Sequence, residues 1–195
     1  MGIKNCKVVS ALCLVMVFVS GCAVQSNKQL SQLMKTVEQE ASVREIERLQ
    51  KQYMTIYDEL MNREVGSPDM AGIADSLFTV DGAWIVDGGP AYRGKSKIIE
   101  LFELVYGQYE KNIDHYVKHF SLNPEILIDG DTATKREEFF VLHSDKDKEN
   151  SFWIVGHYED VLVKDEAGDW KFLSKTVFVE NITGWPSEHL ENVPN

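Results

Sequence analysis

Apolar residues recur at steps of three and four through the first third of the chain. The stripe consists of Leu30, Leu33, Val37, Ala41, Ile46, Leu49, Tyr53, Ile56 and Leu60. This spacing predicts an amphipathic helix, in one piece or two, that ends near Asn62. Its first half, Leu30–Ala41, suits either a solvent-facing helix or a partner-binding coil. The second half must pack against the rest of the protein, because it carries the bulky aromatic residues.

Two shorter helices and a hairpin are predicted next. Ser67-Pro68 combines a capping hydroxyl with proline at the first helical position, and so predicts a short helix reaching Leu77. Strands at Ala83–Val86 and Ala91–Arg93 then flank a glycine- and proline-containing turn. The run that begins at Gly94-Lys95-Ser96 has helical spacing and predicts a third helix.

From His115 onward, helical spacing gives way to the alternation typical of strands. The predicted strands are Tyr116–Leu122, Glu125–Ile128, Thr132–His143, Phe152–Lys164 and Trp170–Glu180, with a charged loop at Ser144–Asn150. An antiparallel meander of this length must curve around the helices to cover its apolar face. The sequence therefore predicts an α+β domain over residues 43–180, in which three N-terminal helices pack in a strongly curved antiparallel sheet around an internal pocket. We expect residues 181–195 to form a C-terminal tail.

The first 21 residues are typical of an export signal. Lys4 and Lys7 precede an apolar stretch, Val8–Val19, that is shorter than the roughly 20 residues needed to span a bilayer. A basic start followed by a short apolar run indicates a targeting segment and not a transmembrane helix.

The segment Val19-Ser20-Gly21-Cys22 resembles a bacterial lipobox. That resemblance implies that Cys22 is lipidated and becomes the first residue, followed within residues 22–42 by a tether and the start of the first helix. Ala23 follows the cysteine where aspartate would signal inner-membrane retention, so the resemblance favours the periplasmic face of the outer membrane. Cys6 and Cys13 would leave with the signal, and the mature domain would keep no thiol for a disulfide or a metal.

Composition excludes several classes of function. The chain has 31 acidic and 20 basic residues, a formal charge of −11, and this balance disfavours nucleic acid as a partner. His115 and His119 are four residues apart, but on a strand this spacing does not converge on a metal. No phosphate-binding glycine loop or nucleophile elbow is present, so we expect neither a cofactor nor a metal.

Several segments together resemble the nuclear-transport-factor-2-like superfamily, and within it the SnoaL-like and scytalone-dehydratase-like branch. They are Leu77–Trp84, Tyr92–Lys95, His119–Pro124, Ile128–Ala133, Gly156–Asp160 and Gly168–Phe172. The resemblance covers about residues 43–180 and implies a cone-shaped fold that hosts both enzymes and non-catalytic proteins. Many relatives pair through the sheet, so it also implies a homodimer.

The dehydratase resemblance carries over to particular positions. Tyr57-Asp58 matches a Tyr-Asp pair near the end of the first helix, and His119-Phe120 matches a histidine early in the meander. His143 matches a second histidine, at the end of the next strand. Two positions depart from the pattern, since Trp84 replaces a tyrosine and Glu159 replaces an asparagine. A related lyase pattern, a tyrosine five residues before an aspartate, is met by Tyr53 and Asp58.

These residues suggest a catalytic site. If the face bearing His119 is concave, His119 meets Asp58, and the carboxylate fixes the imidazole tautomer for proton transfer. Tyr53 or Tyr57 could then polarise a substrate carbonyl.

Trp84 and His143 are candidates for lining the pocket. Strand alternation would let either His157 and Glu159 or Tyr158 and Asp160 join them, and the sequence alone does not decide between the two pairs.

Three functions are compatible with this pattern. The first is a cofactor-independent dehydratase or isomerase that uses Asp58 and His119. The second is a non-catalytic periplasmic module that binds a small, partly apolar molecule. The third is an interaction protein that dimerises through the sheet and recruits a partner with its long first helix.

Overall fold

The structure, a computed structural model, describes residues 5–62, 66, 68–108, 115–145 and 151–183. The side chains of residues 5–26, 108, 115 and 145 lie outside this description. So do Ser67, the side chain of Cys22, residues 146–150 of the predicted charged loop and residues 184–195 of the predicted tail.

The first helix is continuous. Helix α1 runs from Asn5 to Asn62, and the tether expected just after Cys22 is helical instead. No proline or glycine lies between Cys22 and Asn62 to interrupt it. The chain divides into two compact units, Met1–Ser42 and Val43–Asn195. In the first unit the apolar stripe is exposed, at Leu30, Leu33 and Val37, and so is the neighbouring Met34.

Among its described residues, the second unit contains two further helices. Helix α2 spans Met70–Leu77 and α3 spans Lys95–Gln108. The cap of α2 is Asp69 and not Ser67, because the Asp69 carboxylate accepts the Gly72 N–H at 3.0 Å. Gly94 precedes α3 with a φ of 81°, a conformation that glycine adopts without strain.

In the residues that the structure describes, six strands form one curved sheet that does not close. They are β1 (Phe78–Val86), β2 (Ala91–Arg93), β3 (His115–Asp129), β4 (Thr132–Asp145), β5 (Ser151–Lys164) and β6 (Trp170–Thr183). Their order in the sheet is β2-β1-β6-β5-β4-β3. The α+β prediction is confirmed. The sheet is mixed, however, because β1 pairs with β6 in parallel.

The two strands predicted on either side of Asn123 are a single strand with an irregularity. The register between β3 and β4 shifts between Leu122 and Glu125, and Asn123 has a φ of 52°. Such bulges bend a strand and increase its twist, and this one helps the meander to curve around the helices.

The core lies between the helices and the concave face of the sheet. Residues of β4, β5 and β6 that share this face alternate with outward ones. The concave face contributes Ala133, Phe139, Val141, Tyr158, Leu162, Phe172 and Val177, and the helices contribute Ile46, Leu49, Tyr53, Tyr57, Leu60, Ile98, Leu101 and Phe102.

Helix α1 ends against the free edge of β3. The Asn62 amide pairs with both backbone groups of Val117: its Nδ2 donates to the carbonyl at 2.8 Å, and its Oδ1 accepts the N–H at 2.7 Å. This contact covers part of an edge that would otherwise expose unpaired backbone groups. It also brings the preceding turn of α1, with Asp58, beside His119.

Candidate functional site

Asp58 meets β3 through both of its carboxylate oxygens. Its Oδ1 accepts the His119 backbone N–H at 2.9 Å and lies 2.7 Å from His119 Nδ1. Its Oδ2 accepts a hydrogen bond from Lys118 Nζ at 2.6 Å. The Asp58 and His119 side chains are each only 7% exposed, whereas that of Lys118 is 43% exposed. The two residues predicted to meet therefore do so in a buried position, and their catalytic role stays a prediction.

The Asp58 carboxyl is an anion at neutral pH. Burial raises its pKa, but hydrogen bonds from His119 and Lys118 together outweigh burial and leave the pKa below its usual value. An ionised carboxylate can only accept hydrogen bonds, so the proton in the 2.7 Å contact belongs to His119 Nδ1. In a neutral imidazole this leaves Nε2 as the acceptor, which is the arrangement a general base requires.

Aromatic side chains of α1 connect this pair with the core. The Tyr57 ring lies 5.9 Å from the His119 ring in an edge-to-face arrangement, and 4.8 Å from the Tyr53 ring. Trp84 Nε1 donates to the Tyr53 hydroxyl oxygen at 3.0 Å. Burial raises the pKa of the Tyr53 phenol well above its usual value, so this hydroxyl is a neutral hydrogen-bonding group. Tyr53, Tyr57 and Trp84 thus belong to one aromatic cluster that reaches His119.

A second polar group is buried on the concave face, and of its members the sequence analysis named only Asp160, as an alternative pocket residue. Lys135 Nζ lies 2.6 Å from Glu137 Oε1 and 3.0 Å from Asp160 Oδ2. Lys175 Nζ lies 3.0 Å from the same Asp160 oxygen and donates to Gln50 Oε1 at 2.9 Å. All five residues are almost fully buried. The sequence does contain evidence for this group. Each of its charged residues lies two positions from an apolar residue of the same strand, and residues two positions apart on a strand share one face.

Three aromatic rings surround the Lys175 ammonium. Its nitrogen lies 3.9 Å from the centre of the Tyr158 ring, 4.5 Å from that of Tyr53 and 4.6 Å from that of Phe172. Burial lowers the pKa of Lys175 from 10.5 to about 8, although Asp160 acts in the opposite direction. Burial likewise raises the pKa of Glu137. These charges take part in the packing of the interior, directly beside Tyr53.

Comparison with known families identifies the domain. Residues 38–176 match the family model of the SnoaL-like domain. The chain belongs to the SnoaL-like domain family. No curated protein matches it in sequence.

Solved structures with the same fold include proteins of several kinds. A putative scytalone dehydratase from Novosphingobium aromaticivorans is 20% identical, covers 75% of this chain and 89% of its own, and superposes with a TM-score of 0.58. A hexachlorocyclohexane dehydrochlorinase (LinA) of type 2 is 18% identical over 77% and 93%, with a TM-score of 0.60. A protein from Catenulispora acidiphila in complex with S-DNPA is 20% identical over 71% and 93%, with a TM-score of 0.56. At this identity the likeness establishes the fold alone.

Of the two pairs that strand alternation allowed in the pocket, His157 and Glu159 do not line the interior of the SnoaL-like domain, and their candidacy is corrected. His157 Nδ1 lies 2.8 Å from Glu180 Oε1, its ring stacks on Phe178, and Glu159 is exposed beside Arg136. Alternation places their neighbours Tyr158 and Asp160 on the concave face instead. The sequence permitted both phases because β5 carries apolar residues on both of its faces.

His143 is buried on the concave face. It pairs with Val117 across β3 and β4, and its ring stacks on Phe152 at 4.3 Å. It therefore packs beside the strand that carries His119.

Among the described residues, two cavities lie away from the contact between Asp58 and His119. A cavity of about 330 Å³ lies between α1 and α2, and one of about 480 Å³ lies on the convex face of the sheet near Phe120 and Phe140. Neither is lined by Asp58 or His119. Within the described part of the chain, no three His, Cys, Asp or Glu side chains cluster closely enough to hold a metal ion. In the same part, no helix combines the length and hydropathy needed to cross a membrane.

Proposed function

We propose that this SnoaL-like domain binds a small, partly apolar molecule beside Asp58 and His119 and catalyses its dehydration or isomerisation without a cofactor. The observation that carries the proposal is the 2.7 Å contact between His119 Nδ1 and an ionised, buried Asp58. The dehydratase and the dehydrochlorinase that share its fold are named for elimination reactions, and this supports the same class of chemistry here.

In the proposed reaction, His119 Nε2 removes a proton from a carbon next to a carbonyl group. Asp58 stabilises the imidazolium that forms, and Tyr53 or Tyr57 donates a hydrogen bond to the carbonyl oxygen as it gains charge. For dehydration, the electron pair forms a carbon–carbon double bond, the neighbouring hydroxyl leaves, and the imidazolium proton converts it to water. For isomerisation, the proton returns to a different carbon. In both cases the atoms balance with no added reactant.

A non-catalytic ligand-binding protein is the second candidate. The aromatic cluster of Tyr53, Tyr57 and Trp84 would suit an apolar ligand even without proton transfer. A relative from the same fold is known in complex with a small molecule, which supports ligand binding in either case.

Mass spectrometry of co-purifying ligands, combined with hydrogen exchange, separates these candidates. The chain from Ala23 onward is purified, its bound ligands are identified, and the ligands are incubated in D₂O with each protein variant. We expect the wild type to introduce deuterium next to a ligand carbonyl. We expect His119→Ala and Asp58→Asn to slow this exchange at least about 100-fold.

His157→Ala is the matched control, because His157 also contacts a carboxylate at 2.8 Å but on the convex face. It should exchange the ligand as the wild type does. Ligand that is retained by all variants and acquires deuterium in none would contradict catalysis and favour the binding protein.

We also propose that lipid on Cys22 tethers the protein to a membrane, on the periplasmic face of the outer membrane. The lipobox-like segment that ends at Cys22 supports this assignment. Growth with an alkyne-labelled fatty acid should label the wild type and leave Cys22→Ser unlabelled. Equal labelling of both proteins would contradict it.

A homodimer through the convex face of the sheet is the third part of the proposal. Phe120 and Leu122 are exposed there, and β4 presents Arg136 and Glu138 on the same face. A twofold axis between these charges would pair Arg136 of one copy with Glu138 of the other. Sedimentation velocity should give a dimer for the wild type and a monomer for Leu122→Glu. Leu104→Glu, a change at an exposed leucine of α3, should stay dimeric, and a monomeric wild type would refute the proposal.

A further inference from the structure

Lys118 is the one member of the contact around Asp58 that neither the sequence analysis nor the proposed reaction uses. It lies between Val117 and His119, so its side chain begins on the opposite face of β3 from His119. Because β3 is an edge strand, the long aliphatic stem can pass around the edge, and Nζ reaches Asp58 Oδ2 at 2.6 Å. This is a charge-assisted hydrogen bond to a buried carboxylate from a partly exposed cation.

The two carboxylate oxygens of Asp58 thus have separate partners. Oδ1 binds the backbone and the ring of His119, and Oδ2 binds Lys118. Holding both oxygens stops the carboxylate from rotating about its last bond. The ammonium also offsets the negative charge that would otherwise favour protonation of the neighbouring imidazole.

We propose that Lys118 is a positioning residue that fixes the Asp58 carboxylate and balances its charge, so that Asp58 orients the His119 ring. This inference rests on the proposed function, because a general base must be unprotonated to act. Without Lys118, the unbalanced carboxylate would hold a proton on His119 and reduce the fraction of molecules able to accept one.

The other groups that face His119 are few among the described residues. Helix α1 contributes Asp58 and Tyr57. On β4, Val141 lies directly opposite His119, and His143 lies opposite Val117. Glu137 lies further along β4 and is paired with Lys135. Lys118 is therefore the cation in direct contact with the carboxylate that binds the His119 ring.

Nuclear magnetic resonance can test this without any substrate. The His119 ring proton of the full chain is followed against pH in the wild type, Lys118→Met and Lys118→Arg. We expect the midpoint of the His119 titration to rise by about one pH unit in Lys118→Met and to return to the wild-type value in Lys118→Arg. Lys95→Met is the matched control, since it removes a lysine–aspartate pair on a different surface and should leave the midpoint unchanged.

The His157 ring serves as an internal control and should titrate alike in all variants. A His119 midpoint that does not move in folded Lys118→Met would overturn the inference. If Lys118→Met fails to fold, Lys118→Gln removes the charge while keeping a donor, and the same shift or its absence decides the question. Because the readout needs no turnover, its failure is distinguishable from a failure of the proposed reaction, which the deuterium exchange reports.

Discussion

Replacing the buried Lys175 with methionine should change how stability depends on pH. Burial lowers the pKa of this ammonium from 10.5 to about 8, so the folded protein binds the proton more weakly than the unfolded chain does. Burying the charged ammonium therefore lowers the free energy of unfolding. This loss is fully present below pH 8 and disappears as the pH rises toward 10.5. At 1.36 kcal/mol for each pH unit, the loss amounts to about 3 kcal/mol.

The substitution also has a cost that does not depend on this titration. Lys175→Met leaves Asp160 with Lys135 alone and removes the donor to Gln50 Oε1. Removing one partner of a buried ion pair typically costs about 3–5 kcal/mol. We therefore expect the variant to be less stable than the wild type at pH 7, and the difference to widen by up to about 3 kcal/mol as the pH rises.

Urea unfolding followed by tryptophan fluorescence at pH 7, 8, 9 and 10 measures this difference. Groups distant from Lys175 also titrate in this range, but they do so in both proteins and cancel when the two are compared. Lys171→Met is the matched control, because Lys171 is on the same strand but only half-buried, and it binds the Ser76 carbonyl. A difference between the wild type and Lys175→Met that stays constant from pH 7 to 10 would refute the assigned role of burial.

Two further predictions concern the elements that position the site. Asn62→Ala leaves the buried backbone of Val117 without its two hydrogen-bond partners, so urea unfolding should show a loss of about 2–4 kcal/mol in the free energy of unfolding. Gln52→Ala is the control. It removes one exposed hydrogen bond and should cost well under about 1 kcal/mol. Gly156→Ala should destabilise the fold by more than about 2 kcal/mol, because the added methyl group would overlap the Phe178 carbonyl oxygen and meet Phe139 at 2.8 Å. Gly107→Ala, in open space on α3, should be neutral or stabilising by thermal unfolding, and a similar loss in both glycine variants would contradict the steric argument.

The helices and most strand boundaries could be predicted because they depend on local periodicity. The spacing of apolar residues up to Leu60 and the alternation after Tyr116 are properties of neighbouring residues. The parallel pairing of β1 with β6 could not be predicted in this way, since its partners, such as Trp84 and Lys175, are about 90 residues apart. The cap of α2 was misplaced by two residues because Ser67 and Asp69 are both good caps, and only the folded geometry selects Asp69.

The site was predictable where one element alone fixed the direction of a side chain. Asp58 follows from the helical phase of α1, and His119 follows from the alternation of β3. The sequence did not show which face of β5 points to the core. Trp153 and Val155 lie on one face and Phe152 and Ile154 on the other, so both faces are apolar. Lys118 was not found because it reaches the site around a strand edge, and a pattern that assigns each residue to one face of a sheet does not include such a path.

The described part of the domain contains two histidine–carboxylate contacts of nearly equal length, and comparing them separates distance from environment. His119 lies 2.7 Å from Asp58, and His157 lies 2.8 Å from Glu180. Asp58 is 7% exposed and is held by three donors, whereas Glu180 is 61% exposed to a solvent that screens its charge. A carboxylate can fix an imidazole tautomer and stabilise its protonated form only where water does not compete for both groups. Burial therefore makes His119 the better candidate for a general base, so deuterium exchange should fall in His119→Ala and stay at the wild-type rate in His157→Ala.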